Sequence, residues 1–199
     1  MLFNYLNKLK ITLSALSLMR CFIGDFMKSN SFFLSHKKTF LGIALCFLAF
    51  SSFAKNIKKG SAAPDFSITL SDSKTVKLSD YRGKAVLLHF WGTWCPPCRR
   101  ELPGMENLNK KIVADGENSN LEILAVCISD TEKNQSSFMK SNKYTFKTGL
   151  DVSGDIAFSY GVQAVPTSIL ISPEGEILAA HAGMMSESQI FAFVKDYVK

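Results

Sequence analysis

Two cysteines three positions apart, Cys95 and Cys98, carry the clearest chemistry in this chain. They stand in Trp91-Gly92-Thr93-Trp94-Cys95-Pro96-Pro97-Cys98, after an apolar run and before the helix-like Arg99-Arg100-Glu101-Leu102. Such a pair is a disulfide switch or half of a metal site. A structural zinc site wants four ligands, commonly two spaced pairs. Here Cys127 is single and His36 lies far upstream, so the switch is preferred and no metal is expected. A switch of this kind needs no separate cofactor. Cys95 attacks a partner disulfide, and Cys98 resolves the mixed disulfide by attacking the Cys95 sulfur.

The setting bears on direction. With Cys95 as the N-cap of a helix, Pro96 and Pro97 fill the first helical positions, where a missing N–H costs least. The helix dipole favours a thiolate on Cys95. Each proline removes a backbone donor that could stabilise that thiolate. A less stabilised thiolate makes the reduced pair a better electron donor, so a reductant is expected.

Periodicity supplies the elements around the pair. Asp65–Leu70 alternates as a strand, Asp72-Ser73-Lys74 turns, and Thr75–Leu78 returns, giving an amino-terminal hairpin. Val86–Trp91 is nearly all apolar, as a central strand covered on both faces should be. The helix after the cysteines is expected to reach about Val113, kinked at Pro103. Leu121–Ser129 reads as a second central strand, Thr131–Ser141 as a helix, Phe146–Leu150 as a short strand and Gly154–Tyr160 as a short helix. Thr167–Ser172 and Glu176–His181 flank the turn residues Pro173-Glu174-Gly175. A terminal amphipathic helix starts near Ser186, with Ile190, Phe191, Phe193, Val194 and Tyr197 on its apolar side. The pattern predicts an α/β fold with a mixed central sheet flanked by helices on both faces.

The 199-residue chain has a formal net charge of +6. Residues 1–54 carry six basic groups against Asp25 alone, whereas the remainder carries 17 basic and 16 acidic groups. The excess belongs to the leader, so the domain offers no electrostatic footprint for nucleic acid. His36-Lys37-Lys38 precedes an apolar run, Phe40–Phe50, and small residues follow through Ala54. That is the form of a secretory signal cleaved after Ala54, or of an uncleaved membrane anchor. Met27-Lys28-Ser29-Asn30 makes a good alternative start. The domain organisation is thus a leader at 1–54, a linker at 55–63 and one domain at 64–199.

These landmarks together resemble the thioredoxin superfamily, specifically its exported TlpA/ResA-like branch. The active-site octapeptide, Pro64-Asp65-Phe66, Leu78-Ser79-Asp80, Gly83-Lys84, Tyr160-Gly161-Val162 and Val165-Pro166-Thr167 follow in the branch's order. The resemblance implies a thioredoxin fold with an amino-terminal hairpin and a central insertion near Thr131–Leu150. It implies that Cys95 is the exposed nucleophile and Cys98 the buried resolving thiol, with Trp94, Pro96 and Pro97 supporting them. Pro166 matches the proline whose preceding bond is cis, which would turn the Val165 backbone toward a substrate chain. Glu101 matches a residue that tunes the protonation of the cysteines; its simpler reading is a first-turn helix acid or a partner for a nearby Arg. The resemblance further implies a bacterial periplasmic or outer-face location at the inner membrane, protein substrates with disulfides or thiols, and a membrane electron donor. Apocytochrome c cysteines are one substrate class. The dedicated cytochrome-maturation branch has Pro-Glu-Thr where this chain has Pro166-Thr167-Ser168, so cytochrome c maturation stays open.

His89 departs from the pattern, six residues before Cys95, where thioredoxin has a buried Asp. A neutral imidazole there is either a base for Cys98 or, as preferred, a core histidine hydrogen-bonded within the sheet. Cys127, mid-strand, reads as a small buried hydrophobe. Three other functions fit parts of the sequence: a disulfide oxidase or isomerase, a thiol peroxidase, and a redox-inert binding module. Ala63-Pro64-Asp65-Phe66 is shared with peroxiredoxins, but their Pro-x-x-x-Thr-x-x-Cys context is absent around Cys95.

Overall fold

The structure is a computed structural model, and it describes residues 58–198. The leader, its cleavage point and the start at Met27 lie outside the described residues. Among those described, no helix is long and apolar enough to cross a membrane.

A five-stranded sheet of order β5-β4-β3-β6-β7 forms the frame. β3 (Ala85–Trp91) runs parallel to β4 (Leu121–Ile128), which is parallel to β5 (Lys147–Asp151). β6 (Thr167–Ile171) and β7 (Ile177–Ala182) close the other side as antiparallel neighbours. Every residue of β3 is buried, His89 included, as a mostly apolar strand paired on both edges and covered on both faces should be. The separate hairpin is shorter than its alternation implied: β1 is Ser67–Thr69 and β2 is Thr75–Lys77. Leu70 leaves β1 to bridge Gly149 of β5, and Leu78 already opens a 3-10 turn at Leu78–Tyr81.

The two faces differ. One face is covered by α1 (Pro96–Asp115), α2 (Glu132–Asn142) and α4 (Glu187–Phe193), packed over Leu87, Trp91, Ile123, Ala125 and Cys127. Among the described residues, the other carries one α-helix, the five-residue α3 (Asp155–Ser159). The hairpin completes it, as Ile68, Leu70 and Leu78 cover Leu88, Phe90 and Val126. Helices do flank both faces, and on the second the hairpin region shares the cover.

Several boundaries move for local reasons. α1 continues through Pro103 to Asp115, where Gly116 caps it at φ 56°. α4 stops at Phe193, and Tyr197 packs against the core from a turn beyond it. The part of the expected linker that is described belongs to the domain. Gly60 N–H donates to the Ile177 carbonyl at 2.7 Å, and Ala63 N–H to the Gly175 carbonyl at 2.9 Å. Small residues here let the backbone lie along the start of β7, satisfying groups that a free linker would leave to water.

The insertion, α2 and β5, is organised around Trp91. Its Phe138 and Phe146 rings pack on the indole at 5.8 and 6.4 Å. The indole N–H donates to Thr148 Oγ1 at 3.2 Å, which also accepts from Gln135 Nε2 at 2.9 Å. Glu106 of α1 accepts from Thr145 N–H and Oγ1, each at 2.8 Å, and so ties the loop before β5 to the helix that starts at the cysteines.

Candidate active site

The carboxyl end of β3 delivers the chain to the amino end of α1, and the cysteine pair sits at that junction. Cys95 is the N-cap, with extended backbone at φ −93° and ψ 107°. Pro96 and Pro97 occupy the first two helical positions. Cys95 and Cys98 are joined as a disulfide, with Cα atoms 5.3 Å apart. Of the backbone donors at this helix end, Cys98 N–H reaches Cys95 Sγ, at 3.2 Å. The prolines at the two preceding helical positions have none to offer.

Cys95 was expected to be exposed. It is 2 % exposed against 0 % for Cys98, so both sulfurs are buried and the expected contrast between them is not seen in this disulfide form. The Val165 carbonyl, 3.5 Å from Cys95 Sγ, is one cause. The Val165–Pro166 bond is cis, as the resemblance implies. This turn brings the Val165 carbonyl to the sulfur, and the Pro166 carbonyl accepts from Gly183 N–H at 2.9 Å, linking the turn to the end of β7. Trp94 stands at the rim, 48 % exposed.

Glu101 and His89 both lie in the interior. Glu101, three residues after Cys98 on the same helix, is 2 % exposed and is no solvated first-turn acid. Neither carboxylate oxygen accepts a hydrogen bond of ordinary geometry. Burial pushes its pKa up to about 7, and the Met185 amide nearby counters this only weakly. His89 is fully buried in the middle of β3, beside Ser168 of β6. His89 Nδ1 lies 2.9 Å from Ser168 Oγ, and Nε2 has no partner. Burial lowers its pKa to about 4, so the ring is neutral at pH 7 and a poor base there. The core-histidine reading has this geometry behind it. Of the two buried groups, Glu101 is the one poised near neutrality.

Cys127 is buried, free and on the same sheet face as the pair. Burial and the Asp130 charge raise its pKa, so it stays a thiol. Asp130 itself escaped sequence reading. It accepts from Thr93 N–H at 2.8 Å and Thr93 Oγ1 at 2.6 Å, across 37 positions of sequence. Its one local signal, an acidic residue at the end of a central strand, is indistinguishable from an ordinary turn. Among the described residues no group of three or more His, Cys, Asp or Glu could hold a metal ion.

Known proteins resemble the chain in sequence and in fold. The AhpC/TSA family matches residues 59–180. The chain is 38% identical to the thiol-disulfide oxidoreductase ResA of Bacillus subtilis over 140 residues, 70% of this chain and 76% of that one. The thioredoxin domain of a thiol-disulfide oxidoreductase from Bacteroides vulgatus superposes with a TM-score of 0.61 at 26% identity, covering 72% of this chain and all 100% of that one. StoA from Bacillus subtilis superposes at 0.58 with 27% identity, covering 66% and 97%.

Proposed function

The chain belongs to the ResA/TlpA-like thioredoxin family and is a thiol–disulfide oxidoreductase, and from that premise we propose that it is an exported reductant of protein disulfides. The observation that carries the direction is that, among the described residues, the backbone donor to Cys95 Sγ is Cys98 N–H alone. A thiolate held by one amide, where neighbouring helical positions are proline, is less stabilised than one held by several, and it gives up its electrons more readily. Cys95 thiolate attacks one sulfur of the partner disulfide. A mixed disulfide forms, and the other partner sulfur leaves as thiolate. Cys98 then attacks the Cys95 sulfur, the partner's second thiolate leaves, and the Cys95–Cys98 disulfide forms. Two electrons have passed to the partner. A membrane donor's dithiol would return them by the same exchange.

In this account Glu101, three residues after Cys98 on the same helix and buried as Cys98 is, accepts or returns the Cys98 proton, and burial raises its pKa toward that task. Val165 and Pro166 offer the backbone to the partner's extended chain, and Trp94 forms the rim beside it. His89 supports the sheet through Ser168. The basic and apolar leader supports export, as a cleaved signal or as an anchor that holds the domain at the outer face of the inner membrane. Apocytochrome c cysteines fit as substrates by resemblance alone, and Pro166-Thr167-Ser168 leaves other protein disulfides equally eligible.

The AhpC/TSA match favours a second reading, as a thiol peroxidase. The reduced protein separates the two when mixed in parallel with insulin and with hydrogen peroxide. Insulin disulfides are expected to be reduced and peroxide left unconsumed. Peroxide consumption faster than insulin reduction would overturn the reductant.

A further inference from the structure

The loop between β3 and α1 carries Thr93 and Trp94 to the nucleophile, and it is fastened at its far side to the end of β4. Asp130 Oδ2 accepts both Thr93 donors, and Oδ1 accepts Thr131 N–H at 2.9 Å. The Cys127 thiol lies 3.7 Å from Oδ2, as a third donor. Trp94 Nε1 donates to the Ile128 carbonyl at 3.2 Å. The indole also lies against Gly92, where a Cβ would come within 2.6 Å of Nε1. One residue before Asp130, Ser129 has φ 52°, in the left-handed region that only a few per cent of non-glycine residues occupy. The chain there bends out of β4, at a cost, and the Asp130 carboxylate is what meets the loop. Burial opposes its ionisation, but the Thr93 hydroxyl, the Thr131 and Thr93 amides and the Asn134 side chain outweigh that and hold its pKa below the ordinary value.

We propose that Asp130 is a positioning residue for the exchange with protein substrates, latching Thr93 so that Trp94 stands fixed beside Cys95. Thr93 is two residues from Cys95, and Cys95 N–H in turn donates to the Gly92 carbonyl at 3.2 Å. Any polypeptide joined to Cys95 lies against the adjacent, half-exposed indole. A small disulfide needs only the sulfur. Release of the latch therefore penalises protein disulfides more than small ones. This inference rests on the thiol–disulfide function proposed above and adds a residue that the cysteine motif does not contain.

The test compares second-order rate constants of the reduced full chain with insulin and with oxidised glutathione, for wild type, Asp130→Ala, Thr93→Val and Thr93→Ser. Thr93→Val removes the hydroxyl donor at nearly constant shape and keeps the amide, so it reports even where Asp130→Ala folds poorly. The insulin-to-glutathione ratio is expected to fall about tenfold in Asp130→Ala, the loss of roughly 1.4 kcal/mol of positioning. It is expected to fall less in Thr93→Val and to recover in Thr93→Ser, which restores the hydroxyl. Tryptophan emission, to which Trp91 and Trp94 both contribute, should shift in step with the ratio. A ratio within twofold of wild type in both Asp130→Ala and Thr93→Val overturns the latch, even if both absolute rates drop. A wild-type protein that reduces neither disulfide overturns the latch and the function beneath it together.

Discussion

Cys95→Ser is expected to lower insulin-disulfide reduction by at least about a thousandfold, while Cys98→Ala stops the same reaction one step later. The difference lies in which bond can still form. A serine hydroxyl at position 95 is not appreciably ionised near neutrality, whereas a thiol at a helix amino terminus is. Serine is also a favoured N-cap, so the Cys98 N–H that now meets Cys95 Sγ keeps an acceptor and α1 keeps its start. Loss of activity in Cys95→Ser therefore reports chemistry rather than an unfolded helix. Cys98→Ala retains the attacking sulfur but cannot release the partner. It should accumulate a mixed disulfide through Cys95, visible as a mass adduct that reductant removes. Adduct formation in Cys95→Ser and none in Cys98→Ala would reverse the two roles.

The second large effect is on stability against pH, and it comes from two buried groups of opposite sign. His89 falls from 6.5 in the unfolded chain to about 4 in the fold. Between those values the unfolded state binds more protons, so the His89 contribution is present above pH 6.5 and lost as pH falls through 4. Glu101 rises from 4.5 to about 7. Here the folded state binds more protons, so its contribution is present below pH 4.5 and lost as pH rises through 7. Each is on the order of 3 kcal/mol across its window. From pH 4.5 to 6.5 they oppose each other, and the oxidised wild type hides both. Single variants uncover them in denaturant titrations of the oxidised protein. Relative to wild type, Glu101→Gln should gain about 3 kcal/mol as pH rises from 4.5 to 7. His89→Asn should lose about as much as pH rises from 4 to 6.5. A flat difference for either variant means that the group is solvated or has a charged partner in the fold.

The parts of the site that could be read from the sequence are those encoded within a few residues. An apolar run that ends in Cys95-Pro96-Pro97-Cys98 announces a buried strand, an N-cap and the first helical turn. The strand β3, the N-cap and the two prolines at the helix start follow from it. The residues that position the pair across long sequence separations could not be read in this way. Asp130 reaches Thr93 only because β3 and β4 run parallel and end side by side. Glu101 matches a tuning role by resemblance alone; its burial, near the Met185 amide, comes only with the fold. Periodicity also overestimates the reach of β1 and α4, because it registers apolar alternation but not where backbone partners run out. The near burial of Cys95 belongs to the same class, since the Val165 carbonyl that covers it lies 70 positions away.

The measurement that bears most directly on the reductant is the potential of the Cys95–Cys98 couple, equilibrated against dithiothreitol or glutathione buffers and read as the reduced fraction by thiol alkylation. Pro96 and Pro97 offer no amides at two helical positions, and Cys98 N–H is the backbone donor that reaches Cys95 Sγ in the disulfide form. The account predicts a potential nearer to that of thioredoxin, about −270 mV, than to that of the strong oxidants. A value close to about −120 mV, where the reduced form is strongly stabilised, would contradict it and make the protein an oxidase.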